Sequence, residues 1–322
     1  MSLNHSRIDP ESRAPLEAFL ATFPGGFNAI ADIVERRAAI DSFYTAASNT
    51  EADDEGLAIQ TYFVPSRDKG RSIEVRSYIP KSNTAKKTNP GLIFIHGGGM
   101  IMGNLDIGHE NCKMFATKLG LSVFSINYRK APESPYPAAL EDCLDVSKWI
   151  KDNCQDLNVD LKNVGLYGGS AGGGLVLATA LAARDAGTSY FKYMMPIYPM
   201  IDDTYSTQSA KEITDIGIWD RKANIEAWGW YLGEQVPDSY AAPFRATDLR
   251  NLPSCYSDVG ELDLFRDDNI IFFQRLVQSG VATEFHMYPG AFHSSENIAP
   301  ESSLSKKIWE RRIEAISKFI SM

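Results

Sequence analysis

Runs rich in β-branched and aromatic residues recur along the chain as "LAIQTYFV", "IEVRSYI", "GLIFIHG", "LSVFSINY", "VGLYGG", "KYMMPIYP", "CYSDVGE" and "TEFHMYP", and predict about eight strands. Between most of the later runs, "HENCKMFATKLG", "AALEDCLDVSKWIKDNC", "SAGGGLVLATALAARDAG" and "RDDNIIFFQRLVQSG" return an apolar residue every three or four positions, the period of a helix with one buried face. Strand alternating with helix is the signature of a mostly parallel sheet. The runs from Gly91 onward are nearly all apolar, as burial on both faces requires, whereas the first two carry more polar residues and read as an edge hairpin. The expected fold class is α/β, a mostly parallel eight-stranded sheet covered by helices on both faces.

Two segments break the alternation. Residues 9–48 form two helical patterns before any strand, and "TDIGIWDRKANIEAWGWYLGEQ" inserts a helix after the strand ending near Pro199. Ligands in open α/β sheets bind at the carboxyl ends of the strands, so both segments are expected there as a helical lid. The organisation read from the pattern is an N-terminal lid segment at 1–52 and a catalytic domain at 53–322 with a lid insertion at about 201–245. "IWERRIEAISKFI", near the C-terminus, has an apolar face that can cover the sheet or, in a homodimer, a second copy of the chain.

An apolar fraction of 44% and a charged fraction of 23% in 322 residues fit a soluble globular protein. A net charge of −9 argues against a surface built for nucleic acid, and "KSNTAKK" reads as a solvated loop. The polar, acidic start "MSLNHSRIDPESR" lacks the pattern of a secretory signal, and no apolar run approaches the roughly 18 to 20 residues of a membrane span. A cytoplasmic protein is expected. Cys112, Cys143, Cys154 and Cys255 show no C-x-x-C spacing; the first three fall in helical patterns, and all four read as reduced thiols.

One stretch carries chemistry. Gly168-Gly169-Ser170-Ala171-Gly172 spells G-x-S-x-G directly after a strand and before a helix, the setting of a nucleophile elbow. A sharp turn there strains the serine backbone and leaves no room for flanking side chains, while the helix N-terminus offers free N–H groups to a developing anion. A phosphate-binding reading fails, because neither Gly-Lys followed by Ser or Thr nor G-x-G-x-x-G occurs at this stretch or at "HGGGMIMG". His96-Gly97-Gly98-Gly99 also follows an apolar strand and can turn backbone N–H groups toward a carbonyl under attack. Two such loops at one site suggest acyl transfer.

A serine hydroxyl needs a base. Of the five histidines, His5 lies in the polar start and His96 in the glycine loop. His109 cannot complete H-E-x-x-H because position 113 is Lys, and His286 sits inside a strand. His293, in the loop after the last strand, remains. In "CYSDVGELDLFRDD", Asp258 falls within the strand, and Asp267 and Asp268 sit where they favour the next helix start. Glu261 and Asp263 are left as candidates for the orienting carboxylate, and local physics does not separate them.

With these residues in place, the chain resembles the hormone-sensitive-lipase-like branch of the α/β-hydrolase family from about residue 75 onward. The resemblance rests on "HGGGM", "YRKAPESPYPAALEDC", "GGSAGG", "GELDLFRDD" and "GAFH" in the family's order. It implies a triad of Ser170, His293 and Asp263 and an oxyanion hole of Gly98, Gly99 and Ala171, with no cofactor and no metal. Gly169 stands where the branch usually has an acidic residue or Thr, and Leu264 where it has Pro. The implied activity is hydrolysis of a small-molecule carboxylic ester of short to medium acyl chain. An amidase or arylformamidase would use the same triad, and a non-catalytic receptor, as in the plant gibberellin receptor of this branch, would have lost the histidine. Among the aromatics of the lid segments (Phe23, Phe27, Trp219, Trp228, Trp230 and Tyr231), Phe27 and Trp219 are the pocket candidates.

Overall fold

The computed structural model describes residues 5–47, 56–81, 88–214 and 218–322. The domain boundary at 52/53 and residues 82–87 of "KSNTAKK" lie outside them. One sheet contains β1 (Leu57–Pro65), β2 (Ser72–Pro80), β3 (Asn89–Ile95), β4 (Ser122–Ile126), β5 (Val159–Gly169), β6 (Phe191–Ile197), β7 (Ser254–Leu262) and β8 (Thr283–Phe292), in the spatial order β1-β2-β4-β3-β5-β6-β7-β8. β1 and β2 are the expected edge hairpin; β2 also meets β4 antiparallel, and every later pairing is parallel.

Helices α1 (Pro10–Thr22) and α2 (Ile33–Ala47) precede the sheet. α3 (His109–Leu119) follows β3, α4 (Ala138–Asp152) follows β4, and α5 (Ala171–Asp185) follows β5. α6 (Gln208–Glu212) and α7 (Arg221–Leu232) follow β6, α8 (Arg266–Gln278) follows β7, and α9 (Ser295–Ile298) and α10 (Ser303–Ser321) close the chain. Local chemistry sets several ends. Gly120 stops α3 in the left-handed region with its N–H on Ala116 O, Asp220 caps α7 by accepting from Ala223 N–H, and Ser302 caps α10 by accepting from Ser305 N–H. Among the described residues no helix is long and apolar enough to cross a membrane.

The structure departs from the sequence reading in small elements. α6 and α9 are too short to show a helical period and were not expected. Cys154 lies two residues beyond the end of α4 and is half-buried, whereas Cys112, Cys143 and Cys255 are buried; all four are free thiols. Asp267 does not cap its own helix: its carboxylate accepts from Ser209 N–H at 2.7 Å, while Ser209 Oγ accepts from Asp267 N–H at 3.1 Å, and α6 is thereby docked on α8.

α10 takes the covering role. Ala315 and Ile316 are buried, the Phe319 ring stacks on Tyr193 of β6 at 5.0 Å, and Trp309 meets Phe115 of α3. From the same helix the buried Arg312 reaches the sheet. Its guanidinium binds Asp258 of β7 through two hydrogen bonds of 2.8 Å and Glu296 of α9 through a third of 2.8 Å. Burial works against a charged Glu296, but Arg312 and a hydrogen bond from Tyr198 override it and hold the carboxyl below its ordinary value.

Removing the cation from this cluster leaves two buried carboxylates without a counter-charge, so Arg312→Met is expected to lose roughly 3 to 5 kcal/mol in urea unfolding. A carboxyl held low in the folded state contributes stability above its unfolded value of 4.5, and that stability is lost as pH falls through the lowered folded value. Acid unfolding should therefore be shallower for Glu296→Gln than for the unmodified chain; identical curves would refute the ionic role of Glu296.

Candidate active site

β5 ends at Gly169 and α5 begins at Ala171, which leaves one residue to turn the chain. Ser170 does so at φ 57° and ψ −123°, a strained backbone for a residue with a side chain. Its N–H donates to Ile197 O at 2.9 Å, and its C=O accepts from the N–H groups of Gly174 and Met200 at 3.0 Å. Crowding dictates the glycines nearby: a Cβ on Gly172 would stand 2.0 Å from Ile95 O, and one on Gly168 would stand 2.5 Å from Gly172 O.

Ser170 Oγ lies 3.0 Å from His293 Nε2, and His293 Nδ1 lies 2.8 Å from Asp263 Oδ2. A carboxylate only accepts, so Nδ1 carries the proton and Nε2 is left to accept from the serine hydroxyl. Asp263 is sealed from solvent, and its Oδ1 accepts from Phe265 N–H at 2.9 Å. Tyr198 and Phe265 pack against the imidazole with centroids at 4.9 and 5.3 Å. The other acids of the segment are engaged elsewhere: Glu261 pairs with Arg7 and accepts from Gly290 N–H, and Asp258 holds Arg312. Asp268 is buried in α8, where burial, aided by the nearby charges of Asp202, Asp267 and Asp263, pushes its carboxyl up to about 7.

The remaining histidines have structural surroundings. His96 is buried with Nδ1–H on Gly97 O at 2.7 Å and its ring stacked on Tyr128 at 4.3 Å; burial and the charge of Lys130 push it down to about 3, so it stays neutral. Tyr78 OH meets His109 Nδ1 at 2.8 Å, His286 pairs with Glu284 on β8, and His5 is exposed. Among the described residues no group of three or more His, Cys, Asp or Glu is arranged to hold a metal ion.

The glycine loop runs beside the elbow, since a Cβ on Gly97 would lie 3.4 Å from that of Ser170. Gly98 and Gly99 take φ values of 114° and 63°, and their N–H groups, like that of Ala171, make no hydrogen bond among the described residues. Ser170 and His293 open onto a cavity of about 150 Å³. Its walls come from the N-terminal helices (Phe19, Phe27, Ile40 and Tyr44), from the insertion (Ile218 and Trp219), and from Met102 and Tyr198. Phe27 and Trp219 are thus at the cavity. The other four aromatics singled out in the sequence are not: Phe23 packs tilted against Phe27 at 4.4 Å, Trp228 and Tyr231 are buried against each other, and Trp230 lies under Arg36. Phe19, Tyr44 and Tyr198 had no sequence signal beyond being aromatic, because the fold alone brings them to the serine.

A family model described as alpha/beta hydrolase fold matches residues 92–296. Over 217 residues the chain is 35% identical to esterase LipI of Mycobacterium tuberculosis, covering 66% of this chain and 68% of the relative. It is 29% identical to carboxylesterase NlhH of the same species over 295 residues, 90% of each chain. Among solved structures it superposes on a bacterial heroin esterase with a TM-score of 0.90, 33% identity and coverage of 98% and 99%. On esterase LipW of Mycobacterium marinum it does so with a TM-score of 0.87, 30% identity and coverage of 99% and 98%.

The elbow's geometry is tested by one methyl group. Gly172→Ala has no flexible side chain to push aside and is expected to give little folded protein. Gly187→Ala, at φ 65° with open space around it, is expected to cost only about 1 kcal/mol in urea unfolding. Equal stability of the two variants would contradict the close approach of α5 to β3.

Proposed function

The chain belongs to the α/β-hydrolase fold family, in its hormone-sensitive-lipase-like branch, and on that premise we propose that it is a serine carboxylesterase acting on small-molecule esters. The observation that carries the proposal is the unbroken hydrogen-bond chain from Ser170 Oγ through His293 to the buried Asp263, facing a cavity. Its relatives, named as esterases, support the reaction class.

Ser170 Oγ attacks the ester carbonyl carbon as its proton passes to His293 Nε2. Asp263 holds the imidazole by Nδ1–H and stabilises the imidazolium. The carbonyl oxygen becomes an oxyanion, met by the N–H groups of Gly98, Gly99 and Ala171 and by the start of α5. Collapse of the tetrahedral adduct breaks the bond to the leaving alcohol, which takes the proton from His293. The acyl group stays on Ser170 until water, deprotonated by His293, attacks it, and a second collapse returns the hydroxyl and releases the acid.

In this reading the N-terminal segment and the insertion at about 201–245 are a lid, and Phe27 and Trp219 bound the acyl group. A small cavity with aromatic walls favours short to medium chains. Trp219 of the insertion packs on the glycine loop, since a Cβ on Gly99 would stand 2.3 Å from its indole.

Ser170→Ala is expected to abolish both fluorophosphonate labelling and turnover of p-nitrophenyl esters, and His293→Ala to lower kcat by roughly 10⁴-fold or more, while both variants keep the native circular dichroism spectrum. Normal turnover by folded Ser170→Ala would end the proposal. Across graded acyl chains, Trp219→Ala should move the preferred length upward, and an unchanged profile would remove Trp219 from the pocket.

A further inference from the structure

A glycine loop with positive φ values and free N–H groups has little of its own to keep it in place. Within it, Gly98 O accepts from the N–H groups of Ile101 and Met102 at 3.1 and 2.9 Å, which closes a turn but does not fix that turn to the body. Two side chains from outside do so: at the start of the loop the Tyr128 hydroxyl donates to His96 O at 3.0 Å, and Arg37 holds the far side. Arg37 of α2 donates from Nε to Ile101 O at 2.7 Å and from Nη2 to Ala131 O at 2.7 Å. Ala131 N–H in turn donates to Met100 O at 3.0 Å, so the guanidinium clamps the glycine loop onto the segment that follows β4. Glu133 orients the fork from outside through two hydrogen bonds of 2.8 Å.

The neighbouring Arg36 faces another way. It is buried, donates to Ile30 O at 2.7 Å, pairs with Glu226 of α7, and lies over the Trp230 ring at 5.6 Å. Asn28 Nδ2 adds a bond of 3.2 Å to Ile218 O, beside Trp219, whose indole rests on Gly99. Successive residues of one helix therefore join the two lid segments to each other and the joined lid to the oxyanion loop.

We propose that Arg37 is a positioning residue through which the lid sets the oxyanion hole: Gly98 and Gly99 hold their donors at the carbonyl oxygen only while α2 is docked. The inference rests on the oxyanion role given to these glycines above. It makes lid closure a step that assembles catalytic groups as well as excluding water, so a substrate that fails to keep α2 in place meets a loose oxyanion site and reacts slowly.

The test uses the full chain with Arg37→Met, Arg37→Lys and Glu133→Gln, read by p-nitrophenyl ester kinetics and by hydrogen exchange of residues 97–103. Displacing donors without removing them is expected to lower kcat about 10- to 100-fold in Arg37→Met, with KM within about twofold. Exchange in 97–103 should quicken in the same variant. Arg37→Lys, which keeps the charge but not the fork, should resemble Arg37→Met. Glu133→Gln keeps both carbonyl bonds and should retain most of kcat. Unchanged kcat and exchange in Arg37→Met overturn the proposal, as does a lower melting temperature with kcat intact, or a fall in kcat without faster exchange in 97–103. If the unmodified chain turned over no ester, the catalytic reading would fail, and the exchange data would still decide whether Arg37 holds the loop.

Discussion

The proposed active site depends on how closely the start of α5 approaches the end of β3. With Ile95 O in van der Waals contact with Gly172, no side chain can stand between the helix and the strand, and the chain must turn within the single residue Ser170. That strain costs on the order of 1 to 3 kcal/mol and persists because the surroundings leave no alternative. α5 is buried on nearly every side, and the burial of its Leu, Val and Ala residues offsets the cost many times over. The pairing of Ile95 with Gly168 in the sheet then determines what comes next on each strand. One position on from Ile95 begins the glycine loop, and two on from Gly168 stands Ser170, so the loop and the serine are neighbours by register alone.

The other half of the site is placed in the same manner. Leu262 of β7 pairs with Phe292 of β8, and the next residue of each strand is Asp263 and His293. Two adjacent parallel strands ending at one level deliver the carboxylate and the imidazole side by side. Beneath them, Arg312 ties Asp258, inside β7, to Glu296, just beyond His293, while Tyr198 spans the gap by donating to Glu296 at 2.6 Å with its ring against the imidazole. A buried ionic cluster of this kind adds little net stability over apolar packing, but its geometry is directional, and here it fixes the loop that carries His293.

What the sequence revealed follows from which interactions are local. The parallel sheet was legible because strands buried on two faces must be apolar along their whole length, and the elbow because close packing leaves only glycine. Elements of four and five residues left no period to read. Glu261 and Asp263 could not be told apart because a spacing of two places both on one face of a strand. The strand ends at Leu262, so Asp263 turns inward to His293 while Glu261 stays outside with Arg7. Arg37, Tyr198, Glu296 and Arg312 gave no signal, since their hydrogen-bond partners are brought near by topology across 16 to 98 residues.

The two ends of the described chain meet. Asp9 N–H donates to Gly290 O at 3.0 Å, and the carboxylate of Glu11 accepts from Ser303 N–H at 2.8 Å across 292 residues of sequence. On a ribosome α1 leaves the exit tunnel long before its landing site at Gly290 and Ser303 is translated. The roof of the cavity must wait, with its phenylalanines exposed, for the floor to be finished. A nascent chain halted after α5 but before Gly290 would hold the serine and both glycine loops but neither His293 nor a seat for α1, so the roof and the histidine arrive together, late in synthesis.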